Sequence, residues 1–136
     1  MYKRQGPAIR AWLAKSFEPV RRSLDDVRND YLKLFDTVGG ATGGRFLILN
    51  RMSTSGREDI TSYMPFDAPM SHTLANVASK EMNQMLHDLA DARDVAIIDV
   101  DAIAAELGGA AHLPDGVHQS GTMQAVVRSE ILEALA

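Results

Sequence analysis

Val95-Ala96-Ile97-Ile98-Asp99-Val100 is an apolar run that stops at a carboxylate. It is too short for a helix and rich in β-branched residues, so it reads as a buried strand. Upstream, Leu74, Val77, Ala78, Met82, Met85, Leu86 and Leu89 recur at helical spacing. They define a long helix over about Ser71 to Ala92, with Glu81, Asn83 and Asp88 outside and the methionines filling core space. Before it, Phe46-Leu47-Ile48-Leu49 is a second short apolar run, expected to be a strand covered on both faces. Two such strands joined through a long helix imply a right-handed parallel crossover and an α/β fold.

Working outward, Val20, Leu24, Val27, Tyr31, Leu34, Phe35 and Val38 form another amphipathic repeat. It predicts a helix from about Ser23 to Thr37, with Ser23 as cap, Asp25 and Asp26 at its positive end, and Gly39-Gly40 as its stop. A shorter helix over Ala8 to Phe17 is expected to end near Pro19. The glycines at 39, 40, 43 and 44 precede a strand, whereas a phosphate cradle needs strand, loop, then helix. Arg51 to Met70 has no clear periodicity and suits a lid or substrate-contacting loop. After the second strand come a helical turn at Ile103 to Leu107, its end at Gly108-Gly109, a loop, and a final helix. That helix is marked by Met123, Val126, Val127, Ile131 and Leu132, and is capped near Ser120.

The 136 residues, 46% hydrophobic and 24% charged, suit one domain with a modest core. A net charge of −4 argues against nucleic acid as a partner, since phosphate neutralisation favours a basic face. There is no cysteine, hence no disulfide and no thiolate metal site. No apolar run reaches the ~18 residues of a membrane span, and the start lacks the apolar segment of a secretory signal. His72, His87 and His112 show no zinc-ligand spacing. His87 is expected on a helix beside Asp88, and His112 in a solvated loop.

The chemistry is concentrated in Pro114-Asp115-Gly116-Val117-His118. One turn of backbone can hand this carboxylate and imidazole to the same site. In a Ser-His-Asp hydrolase the Asp fixes the imidazole tautomer, and the opposite ring nitrogen takes the serine proton.

From roughly Leu24 to the end, the order of elements and the late Asp-x-x-His resemble the C-terminal portion of the SGNH, or GDSL, serine hydrolase family. The resemblance implies a flavodoxin-like three-layer α/β/α sandwich, here incomplete, with two parallel strands recognisable. It also implies an ester hydrolase acting on a small-molecule or acylated ester substrate, with Asp115 and His118 as catalytic residues and no metal or organic cofactor. The family's Gly-Asp-Ser nucleophile block is absent, as is a Gly-x-Ser-x-Gly elbow. Asn29-Asp30 is similar to the family's Gly-x-Asn-Asp block, but Val27 replaces the Gly and the pair falls inside a helix. Ser53 and Ser55 carry no nucleophile signature.

Met1-Tyr2-Lys3-Arg4-Gln5 resembles a translated sequencing adapter, so residues 1–5 are expected to be non-native and 6–136 to be the C-terminal portion of one SGNH-like domain. Such a fragment, its sheet edge open, is expected to self-associate and to be inactive alone. Two other readings remain. One is a noncatalytic α/β interaction module. The other is a haloacid-dehalogenase-like phosphotransferase, because Asp99-Val100-Asp101 resembles that family's nucleophile motif; the downstream lysine it requires is missing, since Lys80 is the last lysine.

Overall fold

The computed structural model describes residues 18–53, 72–114 and 118–136. The predicted helix at Ala8 to Phe17, residues 1–5, most of the Arg51 to Met70 loop including Ser55, and Asp115 lie outside the described residues.

The first helix, α1, spans Glu18–Leu34, widens into a π-helical turn over Phe35–Gly39 and returns to α geometry at Gly40–Thr42. Ser23 is therefore internal rather than a cap, and Pro19 sits in the first turn, where its missing N–H costs nothing. Gly39-Gly40 does not stop the helix either. Gly40 is right-handed (φ −64°), and the chain turns left-handed only at Gly43 (φ 62°), whose N–H donates to Gly39 O at 2.9 Å. Gly39 has a different effect: a Cβ there would stand 3.1 Å from the Phe46 ring, which would have to shift by a few tenths of an ångström to admit it.

Strand β1 (Leu47–Leu49) pairs in parallel with β2 (Ala96–Ile98), in the register Leu47↔Ala96, Ile48↔Ile97, Leu49↔Ile98. Between them α2 spans His72–Arg93, within a residue of the predicted start and end. The α/β class and the parallel pairing thus follow the apolar runs. The strands are shorter and less covered than expected, with Leu49 42% exposed and Ala96 also exposed. Val100 is not strand but opens α3, Val100–Glu106, for which Asp99 is the cap. Left-handed Gly108 and Gly109 end α3 as predicted, a 3-10 turn follows at Gly109–His112, and α4 spans Gly121–Leu135.

Successive strand side chains point to opposite faces, and each face has its own core. On one side Ile48 packs with Val27 of α1, Phe35 of the π-helical turn and Met82, Met85, Leu86, Leu89 and Ala90 of α2, with Ile97 against them. On the other, Ile98 packs with Val100, Ala104, Leu113, Met123 and Val127, and Leu47 joins them. Helices therefore flank both faces of the two strands. Leu89, fully buried, contributes roughly 1.5–3 kcal/mol. Polar ties cross the layers: Arg45 Nη2 donates to Leu135 O at 2.6 Å, at the negative end of α4, and Arg93 pairs with Asp36. Among the described residues no helix is long and apolar enough to cross a membrane.

Candidate functional site

In open α/β sheets, ligands bind outside the carboxyl ends of the strands. Both strands here end in a polar residue at matching register, Asn50 after β1 and Asp99 after β2. Asn50 N–H continues the ladder to Ile98 O at 3.3 Å, and its side-chain Nδ2 donates to Asp99 Oδ1 at 2.8 Å. Its Oδ1 accepts from Asp101 N–H at 3.3 Å. Asn50 is buried, so both ends of its amide need partners, and Asp99, just after β2, and Asp101, in the helix that follows, supply them.

Asp99 serves three elements. Oδ1 accepts from Asn50 and, at 2.9 Å, from Ala102 N–H as the cap of α3; Oδ2 lies 3.2 Å from His87 Nε2 on α2. Partial burial pushes the Asp99 carboxyl up. The Ala102 N–H, the Asn50 amide and the charge and hydrogen bond of His87 outweigh it and hold the group below the usual aspartate value. Asp101 accepts from Ser53 N–H at 2.7 Å and pairs with Lys80. The two carboxylates of Asp99-Val100-Asp101 are thus committed to fastening β1, α2 and α3 together. His87 lies on α2 as expected and faces Asp99, while its neighbour Asp88 accepts from Gln84 at 2.9 Å.

Asn83, expected on the solvent side of α2, is buried. Its Oδ1 accepts from Arg51 N–H at 2.8 Å and its Nδ2 donates to Arg51 O at 2.6 Å. The side-chain amide thereby acts as one more strand residue for the backbone just beyond β1. A signal for this was present in the sequence. Ser79, Asn83, Leu86 and Ala90 share one helical stripe, and all four are buried.

The chain after β2 leads to the predicted catalytic loop. His118 is exposed, two residues before Ser120, the cap of α4. Asp115 falls outside the described residues, so the Asp115 to His118 geometry is not part of this picture. The loop's two feet are well defined. Leu113 is 2% exposed in the second core, Ser120 N–H donates to His112 O at 2.8 Å, and His112 Nδ1 lies 3.0 Å from Ser120 Oγ. His112 is therefore half-buried and engaged, not a solvated loop residue. Ser53 contributes its backbone N–H to Asp101, and among the described residues no group of three or more His, Asp or Glu side chains is arranged to hold a metal ion.

Compared with known protein families, curated proteins and solved structures, the chain has no match in any of the three.

Proposed function

We propose that this chain carries the acid–base half of a serine ester hydrolase of the SGNH type, with the nucleophilic serine supplied from outside these 136 residues. His118 takes the proton of that serine as it attacks the ester carbonyl and returns it to the leaving alcohol. Asp115 orients the imidazole and stabilises its charged form. Water then attacks the acyl-serine carbonyl, His118 takes its proton, and the proton passes to the serine oxygen as the acyl–serine bond breaks and the acid leaves.

The supporting observation is the placement of His118. It stands on a loop anchored at both feet, beyond the second of two parallel strands and directly ahead of the terminal helix. A general base has to be held in place to meet its nucleophile, and anchorage at both feet of the loop supports that role.

An alkyl fluorophosphonate tests this reading, because it labels a serine that a neighbouring base has activated. In the product of the natural open reading frame, the label is expected on a serine outside these residues and is expected to disappear in His118→Ala. Labelling of a serine within them, or labelling indifferent to His118→Ala, would overturn the proposal; no labelling at all would favour a noncatalytic module.

A further inference from the structure

His118 is exposed; Gln119 beside it is tied to α4, its O accepting from Gln124 Nε2 at 3.0 Å, and the next residue, Ser120, caps that helix. Besides the helix bond that its O accepts from Gln124 N–H at 2.9 Å, Ser120 holds three contacts. Its N–H donates to His112 O at 2.8 Å, its Oγ accepts from Met123 N–H at 3.2 Å, and the same Oγ lies 3.0 Å from His112 Nδ1. A hydroxyl has one proton and two acceptor positions. With Met123 N–H on one position, it can still donate to an unprotonated Nδ1 or accept from a protonated one. The contact therefore survives either imidazole tautomer. Behind the two residues, Leu113 and Met123 are both buried in the same core, so the feet of residues 113–119 are fixed to one body.

The cap of α4 needs only the Met123 contact, and the backbone pair needs neither side chain. The His112 imidazole adds a link between the two feet that helix capping does not require. We propose that His112 and Ser120 form a clasp that positions His118. They are positioning residues that act through His118 and do not touch substrate. This rests on the hydrolase reading only for what His118 does once positioned. A displacement of about 1 Å in a catalytic group is enough to lower a rate by roughly 100-fold, which gives such a clasp its value.

The test uses the chain as it stands, with isotope labelling and NMR relaxation, in wild type, His112→Ala, His112→Asn and Ser120→Thr. In wild type the amides of His118 and Gln119 are expected to show order parameters near 0.85, falling below about 0.6 in His112→Ala. The His118 ring-carbon shift should move in the same variant toward that of an unstructured peptide. Helicity of α4 is expected to persist, since Ser120 still caps Met123. His112→Asn, whose amide can stand where Nδ1 stood, and Ser120→Thr, which keeps the hydroxyl, are expected to restore the wild-type values. Unchanged order and shift in His112→Ala would overturn the clasp, and so would an equal loss of order throughout α4. None of these readouts needs esterase activity. If they behave as expected while fluorophosphonate labelling ignores His118, the hydrolase reading falls and the clasp stands; the converse pattern removes the clasp alone.

Discussion

Asn83 occupies a buried place on α2 where a helix of this kind normally carries an apolar side chain, and both backbone groups of Arg51 depend on it. Replacing it by Ala leaves a part-buried donor and acceptor without their partner, each worth ~1–3 kcal/mol. Urea unfolding of Asn83→Ala should therefore show a loss of about 2–4 kcal/mol. A loss below about 0.5 kcal/mol, the size expected of an exposed position, would refute the role. Asp99 gives a pH-dependent counterpart. Its folded carboxyl titrates below the ordinary value, so its charge contributes stability fully above about pH 5. That contribution is lost as the pH falls through the depressed folded value. Asn at this position keeps the helix cap and removes the charge. Wild type should exceed Asp99→Asn in urea midpoint at neutral pH, and the gap should close as the solution is acidified below the aspartate range. A gap that persists there would contradict the assignment.

At the scale of elements, the sequence pattern revealed which segments are helix and strand better than where they stop. Ser120 before an apolar repeat, and Gly108-Gly109 after one, marked their boundaries because the signal is local. Gly39-Gly40 misled because glycine permits a left-handed turn without requiring one; the turn waits until Gly43. Both strands close after three residues because Asn50 and Asp99 turn their side chains to one another and to the start of α3, and pattern alone does not show such cross-strand bonds. The end of α2 carries a further device. Asp94 is left-handed (φ 51°), its N–H donates to Asp91 O, and Val95 N–H donates to Ala90 O at 2.9 Å, the paired bonds of a Schellman stop. Glycine has no steric penalty in that conformation, so Asp94→Gly should stabilise the protein by about 0.5–1 kcal/mol. A thermal midpoint lower than wild type would argue that Asp94 makes a contribution beyond its backbone angle.

Across the whole molecule, the parallel arrangement was legible because two short apolar runs flank one long amphipathic helix, and loop length then leaves few alternatives. The division of the core was less so. Ile97 and Ile98 are adjacent and equally apolar, yet they face different helix layers, an alternation concealed by a run apolar at every position. The terminal helix and its cap, just after His118, were legible in the sequence, whereas the anchorage of the loop ahead of them was not. Leu113, His112 and Ser120 belong to different elements by pattern, and only folding brings the feet of the loop together. The central claim is that His118 is the base of an ester hydrolase whose nucleophile lies elsewhere. It is tested most directly by the rate of short-chain aryl ester hydrolysis in a full product that carries this sequence together with residues upstream of it, in this chain alone, and in His118→Ala of each. Rapid turnover is expected from the first, with a fall of ~10²–10⁴-fold or more when His118 is replaced and no His118-dependent turnover by the chain alone. Turnover by the full product that is unchanged in His118→Ala would contradict it.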